Sequence, residues 1–93
     1  MTVEWTEPAD AQFQAIRAGG GSAGSALAGR IARRVSDLER LPLLGGVVPD
    51  YSDPALRELI EPPYRIIYRV LDDRLQIIAV IHAARRLPRT PPG

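Results

Sequence analysis

The sequence predicts an α+β domain, in which an N-terminal strand and a two-helix hairpin precede a three-stranded antiparallel meander. Two stretches place apolar residues at helical spacing, and residues 64–82 have the β-branched and aromatic composition of a hairpin. A chain of 93 residues suits one hydrophobic core, so we expect one domain over 1–93 with a flexible tail at 88–93.

The predicted first strand and first helix meet at Thr6. Val3 and Trp5 point the same way in a short strand, and Thr6 is a suitable N-cap for the helix that follows. Apolar residues at helical spacing carry this helix to Arg17 or Ala18. We therefore expect a first helix of about three turns.

A glycine cluster at 19–21 is predicted to end the first helix and allow the chain to reverse. Ser22 or Ser25 is expected to cap a second helix, which Pro42 terminates. The apolar stripe of this helix consists of Leu27, Ile31, Val35, Leu38 and Leu41.

The second half of the chain is predicted to be β structure. Turn-forming residues at 43–54 indicate a loop that lies against the body, because it also contains several apolar side chains. A strand at 56–60 follows, and Pro62-Pro63 ends it. The hairpin strands then flank a tight turn at Asp72-Asp73.

A two-residue turn fixes the expected register of the hairpin. The pairs that it predicts on the core face are Val70 with Leu75, Tyr68 with Ile77, Ile66 with Ala79, and Tyr64 with Ile81. The opposite face is expected to collect Arg65, Ile67, Arg69, Gln76, Ile78, Val80 and His82. One face of the hairpin is therefore predicted to be apolar and the other to carry cations.

The charge pattern narrows the class of protein. The net charge is +1, all twelve basic residues are arginine, and cysteine is absent, which excludes disulfides and thiolate metal sites. No acidic residue follows Asp73, so the arginine-containing C-terminal end is locally basic; it is either solvated or meets an anionic partner. With no signal peptide or membrane span apparent, we expect a soluble cytoplasmic protein.

The order of elements and several motifs together resemble the RelE/ParE superfamily of bacterial toxins from type II toxin–antitoxin pairs. The motifs are Val3-Glu4-Trp5, residues 38–42, Leu56-Arg57-Glu58-Leu59, residues 64–70 and residues 80–88. The resemblance implies an antiparallel sheet behind a two-helix hairpin. It also implies a toxin that arrests growth unless its cognate antitoxin binds it.

Residues 80–88 look more like the ParE branch, in which a histidine, two small residues and an arginine close the last strand. That branch implies a non-enzymatic toxin that inhibits DNA gyrase. The alternative is a RelE-like endoribonuclease acting on ribosome-bound mRNA through Arg65, His82 and Arg85, although the tail lacks the tyrosine of that branch. A third reading is a degenerate homologue that retains antitoxin binding alone.

The resemblance and the charge pattern give a candidate target-binding surface, consisting of Arg65, Arg69, His82, Arg85 and Arg86. A structural role competes with this interpretation, because Arg65 and Arg69 can pair with Glu58 or Glu61 on the adjacent strand. His82 can likewise be structural, with a ring nitrogen bonded to a backbone carbonyl.

The predicted antitoxin-binding surface lies on the helices and at an open sheet edge, where a partner can add a strand or fill a groove. Its candidate residues are Phe13, Arg30, Arg33 and Arg34, with the arginines meeting acidic residues of the antitoxin. We expect a toxin–antitoxin hetero-oligomer and no metal, cofactor or membrane partner.

Overall fold

Two helices cover one face of a five-stranded sheet in the computed structural model, which describes residues 1–92. The elements are β1 (Thr2–Trp5), α1 (Glu7–Gly19), α2 (Gly21–Asp37), β2 (Gly46–Val47), β3 (Leu56–Glu61), β4 (Tyr64–Val70) and β5 (Arg74–His82). The strand order is β1-β5-β4-β3-β2. The predicted α+β architecture is confirmed, and β2 is an addition within the predicted loop.

The sheet is mixed, so the implied antiparallel sheet is wrong for one strand. β1 pairs parallel with β5, placing Val3 opposite Leu75. The N–H and the hydroxyl of Thr6 both donate to the carbonyl of Ile77 at 3.0 Å, and they fix the end of β1 beside β5. A parallel pair needs a long connection, and here the chain between β1 and β5 runs through both helices and the other strands.

The start of α1 agrees with the prediction, and the start of α2 does not. The Thr6 hydroxyl accepts a hydrogen bond from the N–H of Ala9 at 3.4 Å, as expected of an N-cap. α2 already begins at Gly21, after Gly20 and without a side-chain cap, so the predicted capping by Ser22 or Ser25 is wrong. Gly21 has a φ of 58°, which a glycine adopts without strain, and it makes this abrupt reversal possible.

The end of α2 also differs from the prediction, since the helix stops at Asp37 rather than continuing to Pro42. The Leu38 N–H bonds the carbonyl of Val35, a tighter spacing than that of an α-helix, and turns follow. Leu41 is consequently 50% exposed instead of completing the apolar stripe.

The sheet carries a hydrophobic cluster on each face. The cluster under the helices includes Ala9, Ile31, Val35, Leu38, Leu59, Ile66, Tyr68, Leu75, Ile77 and Val80. The cluster on the opposite face consists of Val48, Tyr51, Leu56, Ile67, Ile78, Ala79 and Leu87. The face predicted to be a cationic surface is therefore largely a second core.

The loop before β3 closes this second core, in partial agreement with the prediction that it lies against the body. Val48 and Tyr51 are buried, but Leu43, Leu44 and Val47 are exposed. At the other end of the chain, the Tyr51 hydroxyl donates to the carbonyl of Pro88 at 2.7 Å. The predicted flexible tail thus starts at a residue bonded to this loop, and its last residue, Gly93, lies outside the described range.

A β-bulge at Ile78 changes the register of the hairpin. Up to Ile77 the predicted pairs are confirmed, with Val70 opposite Leu75 and Tyr68 opposite Ile77. Beyond the bulge the observed pairs are Ile67 with Ala79, Ile66 with Val80, Arg65 with Ile81, and Tyr64 with His82. The predicted pairs Ile66–Ala79 and Tyr64–Ile81 are wrong, because one extra residue in β5 moves every later side chain to the other face.

Within residues 1–92, no helix has both the length and the apolar character that crossing a membrane requires.

Candidate functional site

The bulge at Ile78 decides which of the candidate side chains lie together. Arg65 and Arg69 project from β4 on the same face as Ile67, which belongs to the second core. His82 lies beyond the bulge, opposite Tyr64 and on the helix-covered face. The sheet therefore separates the strand arginines from the histidine, which the predicted register had put on one face.

Arg65 is held by two carboxylates. Its Nε lies 2.7 Å from Glu58 Oε1 on β3, and its Nη2 lies 2.8 Å from Asp50 Oδ1 in the preceding loop. Only 13% of the Arg65 side chain is exposed, and the hydrogen bond to Glu58 raises the pKa of its guanidinium above the ordinary value. The structural alternative for Arg65, pairing with Glu58, is what the structure contains.

Arg69 is likewise paired, although not with the residues that the sequence suggested. Its Nη1 lies 3.2 Å from Asp53 Oδ2 in the loop before β3. Glu61, the other proposed partner, instead lies near the arginines of α2. The positive charges of Arg65 and Arg69 are thus compensated by loop and strand carboxylates on this face of the sheet.

His82 ends β5 and orders the turn that follows. Its Nδ1 accepts a hydrogen bond from the N–H of Ala84 at 3.0 Å, so the ring is bonded to a backbone N–H and not to the predicted backbone carbonyl. Its ring meets the Tyr64 ring edge-on at 5.5 Å between centroids. Arg85 and Arg86 follow directly, and both are exposed. Neither forms an ion pair within residues 1–92, so this end of the sheet carries uncompensated positive charge.

A cleft of about 300 Å³ lies between α1 and the end of β5, and His82 and Arg85 both line it. Gln12 contributes from α1, where its Oε1 accepts a hydrogen bond from the N–H of Val80 at 2.7 Å. Gln12 could not be selected from the sequence, because its contact with Val80 depends on the bulge. This hydrogen bond connects α1 to the part of β5 that includes His82.

The predicted antitoxin-binding arginines share one face of α2. Glu61 on β3 lies 3.6 Å from Arg30 and 3.9 Å from Arg34, so one carboxylate is shared by two guanidinium groups at long range. Arg33 is exposed and forms no ion pair within the described residues. The Arg30–Arg34 segment therefore retains excess positive charge.

Phe13 lines an apolar groove on the other side of α2. Its ring packs against that of Trp5 at 5.1 Å between centroids, and Val3 and Val35 extend the groove. A second depression is lined by the three arginines of α2 and by Glu61. Ser36 lines both this depression and the Phe13 groove, so the two adjoin along α2. The four side chains predicted for antitoxin binding thus lie on adjoining parts of one surface.

Residues 3–87 match the sequence profile of a family described as the ParE toxin of the type II toxin–antitoxin system parDE. The chain belongs to the ParE toxin family. The matched region includes every side chain of the two candidate surfaces, from Phe13 to Arg86.

A solved structure supports the same assignment for this ParE-family toxin. The fold is similar to that of a chain in the chromosomal ParDE TA system from P. aeruginosa, with a TM-score of 0.72 and 25% sequence identity. The similarity covers 88% of this chain and 95% of the other. Comparison with curated protein sequences gives no match.

Proposed function

We propose that this ParE-family toxin inhibits DNA gyrase and is neutralised by its cognate antitoxin in a hetero-oligomeric complex in the cytoplasm. The observation that carries the proposal is the family match over residues 3–87, which spans both candidate surfaces. The two surfaces differ in chemistry, since one combines an apolar groove with arginines and the other is a cationic turn at the end of the sheet.

The proposed target-binding surface is centred on the turn after β5. His82, Arg85 and Arg86 are exposed there, and no acidic residue follows them in the chain. Arg65 and Arg69 lie on the opposite face of the sheet from His82, and their guanidinium groups are already bonded to carboxylates. Any contribution that they make to the target contact requires release of those ion pairs, which costs free energy.

The distribution of these side chains favours the gyrase-inhibitor proposal over a RelE-like ribonuclease. Cleavage by an adjacent 2′-hydroxyl needs cationic stabilisation and proton transfer at one phosphate. Arg65 is on the opposite face of the sheet from His82, so the three candidates Arg65, His82 and Arg85 do not converge on one point. The tail from Leu87 onward also contains no tyrosine, histidine or lysine that could replace them.

The proposed antitoxin contact uses the adjoining surfaces on both sides of α2. An amphipathic helix with apolar residues against the Phe13 groove can place acidic residues near Arg30, Arg33 and Arg34. β1 and β2 are the edges of the sheet, and β2 pairs along only two residues. Each leaves backbone groups that an extended antitoxin segment can pair with.

Two assays with the purified protein test the proposed target. We expect inhibition of gyrase supercoiling with accumulation of cleaved DNA, and no codon-positioned cuts when primer extension is run on translating ribosomes. Equimolar antitoxin, encoded by the adjacent small open reading frame, is expected to restore supercoiling. Cuts in the message without an effect on gyrase would contradict the proposal, and silence in both assays would favour the degenerate homologue.

A further inference from the structure

The cleft between α1 and the end of β5 is lined by four apolar residues and by four polar ones that can donate hydrogen bonds, and none of its lining residues is acidic. It will be called the donor cleft, and its polar lining consists of Gln12, Tyr64, His82 and Arg85. The phenol of Tyr64 and the guanidinium of Arg85 form no hydrogen bond to any side chain or carbonyl within residues 1–92. Both are therefore available to a ligand.

The intramolecular bonds of the other two polar residues determine which of their atoms remain free. His82 Nδ1 accepts from the N–H of Ala84, so in the neutral ring the proton is on Nε2, which becomes a donor. Gln12 Oε1 accepts from the N–H of Val80, which leaves its amide NH₂ as the free group. Backbone N–H groups thus occupy the acceptor atoms Gln12 Oε1 and His82 Nδ1. The groups that remain free, the Gln12 NH₂ and the His82 Nε2–H, are hydrogen-bond donors.

Four donors with one full positive charge fit an oxyanion. Arginine binds a phosphate through a planar fork, and neutral donors complete the remaining oxygen contacts. The bulge at Ile78 creates this arrangement, since it both turns His82 toward α1 and presents the Val80 N–H to Gln12. Bulges commonly re-aim side chains next to functional sites.

A second cleft indicates which anion fits. It has a volume of about 440 Å³ and lies on the other side of Tyr64, where Ala15, Ile16, Leu27 and Pro63 give it a mainly apolar lining. Ala15, Ile16 and Tyr64 line both clefts, so the two adjoin. An anion site next to an apolar cleft with an aromatic ring between them suits a nucleotide, because bases stack on aromatic rings and phosphates bind cations.

We propose that the donor cleft binds a phosphodiester of single-stranded DNA, with the neighbouring sugar and base in the apolar cleft beside Tyr64. This inference rests on the proposed function, in which the toxin meets gyrase while the enzyme holds broken DNA. Arg86 is exposed next to Arg85 in the chain and adds a second positive charge after β5. A carboxylate of the antitoxin is the competing occupant. It would bind the donor cleft but would place no group in the adjoining apolar cleft.

The test is fluorescence anisotropy of the full chain with a labelled oligo-dT of about 12 nucleotides, a length within the usual range of single-strand site sizes of about 4–16 nucleotides. Titrations run from about 0.05 M to about 0.2 M salt, because counterion release makes the affinity salt-dependent. We expect a Kd on the order of 1–100 µM at the upper salt concentration.

Three variants separate binding from folding. Gln12→Glu keeps an oxygen for the Val80 N–H but places a carboxylate in the donor cleft, and His82→Asn keeps an acceptor for the Ala84 N–H but removes the Nε2 donor. Arg85→Gln removes the cation. Each is expected to weaken oligonucleotide binding by about tenfold or more, as loss of a charge-assisted or converging donor does.

The control variant is Arg40→Gln, which removes the same charge from an exposed position in the turn after α2. We expect it to keep the wild-type affinity within about twofold. The salt dependence gives a second readout, since Arg85→Gln should lower the slope of log Kd against log salt by about 0.7. Unchanged melting temperatures for Gln12→Glu and His82→Asn exclude unfolding as the cause.

Several results would overturn the inference. Failure of the wild-type protein to bind the oligonucleotide would do so, as would equal losses for Arg40→Gln and Arg85→Gln. Loss of antitoxin affinity in Arg85→Gln, with no DNA binding in the wild type, would assign the donor cleft to a carboxylate. Gyrase inhibition without oligonucleotide binding would refute this inference alone, and binding without gyrase inhibition would refute the proposed function alone.

Discussion

Replacement of Arg65 tests whether this arginine holds the sheet together rather than contacting a target. In Arg65→Gln, Glu58 loses a 2.7 Å partner while its own side chain stays only 13% exposed, and Asp50 loses a 2.8 Å partner in the loop. Exposed ion pairs contribute about 0–1 kcal/mol, and loss of one partner of a buried pair costs about 3–5 kcal/mol. Because the Arg65–Glu58 pair is partly buried, we expect Arg65→Gln to lower the free energy of unfolding by about 2 kcal/mol, between these two cases.

The measurement is urea unfolding followed by circular dichroism, with thermal melting as a second readout. For a chain of this length we expect the melting temperature to fall by about 10 °C. Arg40→Gln is the matched control, because it breaks an exposed pair with Asp37 and should cost less than about 0.5 kcal/mol.

A double-mutant cycle with Glu58→Gln isolates the pair itself. We expect a coupling free energy of about 1–2 kcal/mol, since the two side chains are in direct contact at a poorly solvated site. A loss below about 0.5 kcal/mol for Arg65→Gln, or a coupling near zero, would refute the structural role assigned to Arg65.

Two further predictions concern stability. Gly24→Ala places a Cβ only 2.6 Å from the carbonyl oxygen of Ile16 and should destabilise the helix pair by about 1–3 kcal/mol in urea unfolding. In the same helix, the Cβ of Gly29→Ala would meet only Arg33 Nη1 at 3.7 Å, an ordinary van der Waals contact, so this change should stabilise by up to about 1 kcal/mol; the same sign for both would contradict the packing described. Burial raises the pKa of Tyr68, whose hydroxyl accepts from the Gly45 N–H, so the folded state keeps the phenol proton to a higher pH than the unfolded chain does. Stability should be full below about pH 10 and fall above it, and Tyr68→Phe should be less stable at neutral pH but show a smaller alkaline loss; an identical alkaline loss would contradict this assignment.

The local patterns of the chain were sufficient to predict most of its elements. The cap at Thr6 is recognisable because a hydroxyl precedes a proline-containing first turn, and the hairpin turn fixes the pairs nearest to it. The start of α2 was missed because a glycine reversal needs no capping serine. Its early end at Asp37 depends on a tight turn that the spacing of the leucines does not reveal.

The bulge at Ile78 is the main structural feature that could not be predicted from the sequence. Residues 77–81 are all apolar, and β5 is covered on both faces by hydrophobic clusters. Polar and apolar residues therefore do not alternate where the register changes. Because both faces of the sheet are apolar there, the sequence pattern does not show which face each side chain occupies. The positions of Ala79, Val80 and His82 follow from packing against both clusters rather than from a local pattern.

The site was only partly predictable for the same reason. The exposed arginines after β5 and on α2 are evident in the charge pattern, and the structure leaves Arg33, Arg85 and Arg86 exposed. The partners of Arg65 and Arg69 include Asp50 and Asp53, and these come from a loop whose path depends on the second core.

The most direct test of the account is a gyrase cleavage reaction titrated with the purified toxin and stopped with detergent. If the protein traps gyrase on cleaved DNA, linear DNA will accumulate in proportion to toxin, and antitoxin added beforehand will prevent it. A gyrase that supercoils at its normal rate in molar excess of soluble, folded toxin would contradict the account.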